Sequence, residues 1–350
     1  MARLIFWRLA RTGLAVWALA SAVYLLSHRD LGAAAQLTLP DGYDLPTGRA
    51  TQDQQQAAQR AIQQRLGLDL PLFYLSRNPD PHLGLVQWHW NGFQNQYHQW
   101  AIGVFQGNWG TSFRTGQTVT ARLRASLAVT LPITGTAAVL ATLLAFALAQ
   151  RLAAAPWWQR PLRAVLTTIH ALPLFVVALV LLLVFANPEA LAWFPAYGLG
   201  PELGTWNSFI EYLPHLVLPV AALTLMALPE LTLQLDAALA QELHAGYTTT
   251  ARAKGLTKVA VIRHHALRNA LLPTIAQITE LLPALVAGAV VVEVVFALPG
   301  MGRLLAEAAA ARDYPVLVGG VLLTGATRLV ALLLADLLYF WADPRIRWQS

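Results

Sequence analysis

Apolar residues in this chain gather in long blocks, without the strict alternation of a half-buried strand or the narrow stripe of a surface helix. Six blocks approach or exceed the roughly 18–20 residues needed to cross a bilayer as a helix. They lie at about 5–26, 126–149, 164–186, 214–234, 274–297 and 316–340. The first contains Arg8 and Arg11 but is clean from Gly13 to Leu26. Basic residues before an apolar core also describe a signal peptide. However, Ser27-His28-Arg29 is a poor small-residue cleavage site, so an uncleaved anchor is expected and the span count stays even.

Between the first and second blocks lies one sizeable extramembrane segment, 27–125. Residues 51–66, rich in Gln and Ala and free of Gly and Pro, predict a helix. Asn78-Pro79-Asp80-Pro81 then breaks any helix, and an aromatic, polar stretch runs on to Trp109. With so few aliphatic residues the segment is a poor independent domain and is expected to cap the outer mouth of a helical bundle. The predicted fold is an all-α integral membrane protein of six transmembrane helices. Residues 1–26 form the anchor helix, 27–125 a large periplasmic segment between helices 1 and 2, and 126–340 the membrane core. A cytoplasmic loop at 235–273 belongs to that core, and 341–350 form a cytoplasmic tail.

Composition supports this reading. Hydrophobic residues make up 56% of the 350 and charged residues 12%, against roughly 25% charged in soluble domains. The mean hydropathy is +0.49. The net charge of +6 is therefore not a nucleic-acid footprint but reflects the cytoplasmic bias of basic loops. Arg3, Arg8 and Arg11, then Arg151, Arg160 and Arg163, then Arg252, Lys254, Lys258, Arg263 and Arg268, and finally Arg345 and Arg347, fall on one side if both termini are cytoplasmic. The loop 187–213, on the other side, holds Glu189, Glu202 and Glu211 and no basic residue. Trp157, Trp158, Trp193, Trp206 and Trp341 stand at predicted span ends, as interfacial anchors do. Both termini are thus placed inside. Without cysteine, disulfides, thiolate metal sites and thiol catalysis are excluded.

One polar stretch stands out against this background. Residues 250–273, TARAKGLTKVAVIRHHALRNALLP, form a basic, small-residue segment between two apolar blocks. The alanines of residues 239–253 and the lack of proline there predict a helix running into the segment, with Gly255 suited to the left-handed position past its end. Thr257 is expected to N-cap a second helix, 258–270; no Glu or Gln follows at the third position to complete a capping box. Ala251, Ala253 and Gly255 leave room for close approach by a partner, with Arg252 and Lys254 at the rim. On composition alone, a membrane-surface helix whose cations meet anionic head groups explains the segment equally well.

The run Ala251-Arg252-Ala253-Lys254-Gly255-Leu256, followed by His265-Ala266-Leu267-Arg268-Asn269-Ala270-Leu271-Leu272-Pro273, resembles the cytoplasmic coupling loop of ABC-importer permeases, specifically the first-permease type of the dipeptide/oligopeptide family. In family order, Arg65–Leu72 and Gly107–Phe113 resemble its outer segment, Glu293–Leu305 the end of its fifth span, and Asp313-Tyr314-Pro315 and Asp343–Arg347 its closing motifs. The resemblance covers about 65–350. It implies a multi-pass protein of the bacterial inner membrane that forms half of a path for peptides or similar small solutes. The expected partners are a second permease subunit, two ATP-binding-cassette ATPase subunits and a periplasmic substrate-binding protein, together with membrane lipid but no nucleic acid. No cofactor is expected on this chain; ATP and Mg belong to the ATPase subunits, and the chain itself is not an enzyme. By carry-over, Tyr247, Ala251, Arg252, Lys254, Gly255 and Thr257 are the ATPase-docking residues, and Glu293, Pro299 and Gly300 shape the outer mouth. The chain departs from the family in three places. Gly246 stands where an acid is common, about 20 residues between Tyr74 and Gln96 are inserted, and His28–Gly42 lacks the usual Pro-Gly-Asp-Pro run. The insertion is either a tolerated surface elaboration or an altered contact with a binding protein.

Arg328 and Asp336 fall inside the sixth block, near one helix face. Charge within a membrane is costly and faces a bundle interior or a water path, so two readings stand: these residues line the path, or Arg328 pairs with a neighbouring helix and fixes packing. His82, His89 and His98 have no ligand-like spacing, and no metal site is expected. The adjacent His264 and His265 point to different helix faces. No phosphate-binding glycine loop and no nucleophile–His–acid set is present, so a membrane-embedded hydrolase is excluded. The alternative class is an ion-coupled secondary transporter, but the halves show no internal repeat.

Overall fold

A computed structural model describes residues 2–34, 70–79, 86–154, 156–198 and 206–342. The expected helix 51–66, the motif residues 65–69, His82 and the tail from 343 lie outside them. The chain begins with α1 (Ala2–Ala34), the strands β1 (Leu75–Pro79) and β2 (Val86–Trp90), α2 (Gln96–Phe105) and α3 (Val119–Ala154). It continues with α4 (Pro156–Ala171), α5 (Leu174–Phe185), α6 (Trp206–Leu243), α7 (Gly246–Ala253) and α8 (Lys258–Val261). A π-helical turn at Ile262–Ala266 leads into α9 (Leu267–Val295), α10 (Met301–Ala310) and α11 (Tyr314–Ala342).

Among the described residues, five helices are long and apolar enough to cross a membrane, in α1, α3, α6, α9 and α11. The third apolar block is the exception. It is split into α4 and α5, which meet at a bend of 102° and make a sixth span only if counted together. Pro173 causes the break: it N-caps α5 with extended backbone and cannot donate to the turn before it. Other prolines sit inside helices, at 132 in α3, at 161 in α4, at 214, 219 and 229 in α6, and at 273 and 283 in α9. Membrane helices tolerate them because nearby hydroxyls and neighbouring helices satisfy the freed backbone groups.

The chain divides into two compact units. The first comprises 1–12, 125–306 and 324–350. Its core joins Ile133, Ala137, Ala141 and Ala145 of α3 to Leu216, Leu223 and Leu231 of α6 and Leu281, Leu285 and Val292 of α9. The four-residue spacing on α3 is a stripe of mostly small residues, which lets helix backbones approach closely where lipid offers no hydrophobic drive. A second cluster packs Ala149 of α3 and Leu235 and Leu239 of α6 against Ile262, Ala266 and Ala270.

The second unit comprises 13–124 and 307–323. Here the aromatic stretch finds its role. Trp100 of α2 stacks on Tyr24 and Trp17 of α1, with ring centroids 4.5 and 5.3 Å apart, and the Ser21 and Tyr97 hydroxyls share a 2.8 Å hydrogen bond. The segment is thus built together with α1, as its shortage of aliphatic residues requires. It is not wholly helical, however. β1 and β2 pair antiparallel in register Leu75–Trp90 to Pro79–Val86, so the inserted stretch forms a two-stranded sheet where only a helix break was expected. Asp313 closes this unit. Buried, it accepts from the Ser112 hydroxyl (2.5 Å), the Phe113 N–H (3.0 Å) and the Arg122 guanidinium (3.2 Å).

Candidate functional site

The basic segment is built on the end of α6. The expected helix 239–253 is broken: α6 stops at Leu243, and Ala245 turns extended (φ −69°, ψ 148°) before α7 begins. No side chain caps α7 at Ala245. Instead the buried Thr248 hydroxyl donates to the carbonyls of Ala245 (2.7 Å), Leu243 (3.1 Å) and Glu242 (3.2 Å). The Arg252 guanidinium reaches back to the Leu243 carbonyl, one of the acceptors a helix end leaves open.

After Ala253 the chain makes the turn its glycine permits. Gly255 has φ +85°, its N–H donates to Arg252 O (2.9 Å), and the Leu256 N–H donates to Ala251 O (3.4 Å). That pair of bonds is the Schellman pattern, which needs a left-handed residue just past the helix. Thr257 then caps α8, its hydroxyl accepting from the Ala260 N–H at 3.3 Å. The second helix does not stop at 270. It passes through the π-helical turn into α9, so the segment is coupled without a joint to an apolar span. A π turn re-aims side chains and is common at functional positions; here it keeps Ile262 and Ala266 buried while Arg263, His264 and His265 stay exposed.

Of the six docking candidates, Tyr247, Arg252, Lys254, Gly255 and Thr257 lie on the exposed surface, and a Cβ on Gly255 would meet nothing within 4 Å. Ala251 faces inward and is buried, so its small size serves packing of α7 and not a partner's approach. Sequence reasoning gave no role to Leu256 and Val259, which expose apolar side chains beside the glycine. Apolar residues in a polar turn were the available signal. It also missed the surroundings of Tyr247. The phenol donates to the Glu242 carboxylate and accepts from the Asn269 amide at 2.9 Å. A carboxylate therefore does sit beside Tyr247, contributed by Glu242 and not by position 246. The Tyr247 phenol is held above its ordinary value, first by desolvation and then by its hydrogen bond to Glu242.

Glu293, Pro299 and Gly300 meet at the turn between α9 and α10. The Glu293 side chain is buried. It accepts from the Thr130 hydroxyl of α3 (2.5 Å) and from the Arg303 N–H in the first turn of α10 (2.9 Å). Thr130 in turn accepts from the Met301 N–H at 2.8 Å. A carboxylate suits the N-terminal end of α10, where N–H groups lack partners. A Cβ on Gly300 would overlap the Glu293 carboxyl, and one on Gly302 would come within 2.5 Å of Val290. Pro299 alone of the three is exposed.

Arg328 and Asp336 are not brought together. Arg328 forms a bidentate pair with Glu280 of α9, one of its two bonds at 2.8 Å. Asp336 pairs with Arg8 of α1 at 2.9 Å, which also accounts for one of the two cations in the first apolar block. Both Arg328 and Glu280 remain partly exposed, at 39% and 56%. Among the described residues no group of three His, Asp or Glu side chains is placed to hold a metal ion.

The family model described as binding-protein-dependent transport system inner membrane component matches residues 137–348. The oligopeptide transport system permease protein AppB of Bacillus subtilis is 33% identical over 256 residues, covering 72% of this chain and 80% of that protein. The dipeptide transport system permease protein DppB of Escherichia coli K12 is 42% identical over 147 residues, 42% of this chain and 43% of that one. A solved structure of the MetNI methionine ABC transporter, in an inward-facing conformation, aligns with 64% of this chain and 97% of its own at 17% identity, with a TM-score of 0.49.

Proposed function

This chain belongs to the family of binding-protein-dependent transport system inner membrane components, and from that premise we propose how it works. It is a permease subunit of an ABC importer and a multi-pass protein of the bacterial inner membrane. Its cargo is peptides or solutes of similar size, the class named for its relatives. The bent pair α4–α5 counts as the third of six spans, with both termini cytoplasmic and 27–125 periplasmic. A second permease completes the path, a binding protein delivers the cargo, and two ATPase subunits supply ATP, Mg and hydrolysis, none of which this chain binds.

One observation supports a docking role for the segment: the exposed Gly255 turn runs through α8 and the π turn directly into α9. A displacement of that turn by an ATPase subunit is passed to a span, because the buried Ile262 and Ala266 fasten the junction to α3 and α6. Closure of two ATPases then biases a rigid-body change between two states of the spans. Tyr247, Arg252, Lys254, Gly255 and Thr257 make the contact. Glu293 and Gly300 fix the outer turn, with Pro299 at its surface, and Arg328 with Glu280 is the candidate lining of the path. An ion-coupled mechanism loses its support, since Arg328 and Asp336 pair separately and form no relay. Co-purification of the chain with its ATPase decides the docking role: Gly255→Asp should weaken association at least about tenfold and lower uptake while the chain still inserts. Undiminished association would overturn it.

A further inference from the structure

Beside the coupling turn lies a cleft of about 360 Å³ whose charged lining is Arg163 of α4, Asp236 of α6, Arg252 of α7 and Lys258 of α8, with His244 at the end of α6. Its cations are not balanced. The one carboxylate, Asp236, is buried and already takes two bonds from Arg163, at 2.9 and 2.6 Å. Among the described residues, Arg252 and Lys258 have only main-chain carbonyls, those of Leu243 and Ala154, the latter at 3.3 Å. A carbonyl dipole orients a cation without cancelling its charge. Two positive charges therefore stand in one recess with room for an anion.

The depth of the cleft is fixed by the same bonds. Ala154 is the last residue of α3 and Leu243 the last of α6, two of the helices apolar and long enough to span. The carbonyls that hold Lys258 and Arg252 thus stand at the polar ends of two spanning helices, beyond their apolar stretches. The helix that supplies Gln159 and Arg163 to the cleft, α4, carries the marks of a membrane surface. Its first turn exposes Trp157 and Trp158, at 73% and 50%, with rings 4.7 Å apart. Arg160 is exposed, while Leu166 is buried. Paired tryptophans ahead of a basic face are the arrangement of a helix seated among lipid head groups.

We propose that this cleft binds the phosphate of an anionic phospholipid head group, with Lys258 as its first ligand, Arg252, which also serves the ATPase contact, as its second, and Arg163 held ready by Asp236. The acyl chains leave past Trp157 and Trp158. The shared chemistry is a phosphate oxyanion, which a free phosphate also offers, but the exposed tryptophan pair on the helix that carries Arg163 selects the lipid. Binding here braces α7 and α8 against the ends of α3 and α6, so lipid charge sets how firmly the coupling turn is held.

The test uses the full chain purified in mild detergent and exposed to mixed micelles of phosphatidylglycerol or phosphatidylcholine, with retained lipid counted by native mass spectrometry. Phosphatidylglycerol should be retained in preference to phosphatidylcholine. Lys258→Gln and Arg252→Gln should each lower its retention about fivefold, and the double variant about 25-fold. Arg263→Gln, an exposed cation outside the cleft, should leave it unchanged. Should Arg252→Gln fail to fold, Lys258→Gln with an unchanged unfolding midpoint carries the test. Equal retention of the two lipids, or equal loss in Arg263→Gln, overturns the proposal. So does complete displacement by inorganic phosphate, which would assign the site to the free anion. Weakened ATPase co-purification with unaltered lipid retention in Lys258→Gln would assign the cations to the partner protein and overturn it as well.

Discussion

Two glycine turns in one compact unit serve opposite ends. Gly255 joins α7 to α8 with φ +85° and open space where a side chain would stand. Gly300 precedes α10 without a left-handed backbone, yet a Cβ there would overlap the buried carboxyl of Glu293. The first glycine is required by conformation and leaves its surface free; the second is required by space and closes its surface. Around Gly255 the charged groups are the cations Arg252, Lys254 and Lys258, all on exposed residues. Around Gly300 they are an acid, a hydroxyl and main-chain N–H groups satisfying one another. A subunit driven from outside needs both kinds of turn, one that a partner can grip and one that holds while it moves.

The contrast breaks first at the closed turn. Glu293→Ala strands the Thr130 hydroxyl and the Arg303 N–H in a buried site and should lower stability by about 3 kcal/mol, read as the unfolding midpoint in detergent. Gly300→Ala forces apart atoms with no room to give and should cost about 1–3 kcal/mol in the same assay. The open turn should behave differently. Gly255→Asp should leave the midpoint close to wild type but weaken ATPase co-purification at least about tenfold. Gly255→Ala should cost about 1 kcal/mol through its left-handed backbone, whereas Gly255→Asn, which tolerates that conformation, should cost less. The smallest effect concerns Tyr247. Its proton is held more tightly in the folded state, so its contribution is present at neutral pH and is lost as pH rises through the raised phenol value. Tyr247→Phe should flatten that alkaline decline in the unfolding midpoint.

What could be read in the sequence follows the range of the interactions. Membrane helices announce themselves because every residue of a span meets the same apolar solvent, so block length suffices. The Gly255 turn and its Thr257 cap were legible because their hydrogen bonds close within a few residues. The break between α6 and α7 was not. Alanines favour helix there, and the hydroxyl of Thr248, three residues on, overrides them by holding three carbonyls of the corner. The β1–β2 pairing was hidden for a related reason, since a strand is specified by its partner as much as by its own residues.

The sequence by itself determined an integral membrane protein of apolar helices, its family, and the site of a glycine turn in its one basic segment, because composition, motif and local backbone preference act at short range. Only the tertiary structure decided which charges are spent and which are left over. Asp236 takes Arg163, Glu280 takes Arg328 and Asp336 takes Arg8 across helices far apart in the chain, while Arg252 and Lys258 find only carbonyls among the described residues. Electrostatic pairing falls steeply with distance, and those distances exist only once the helices have packed.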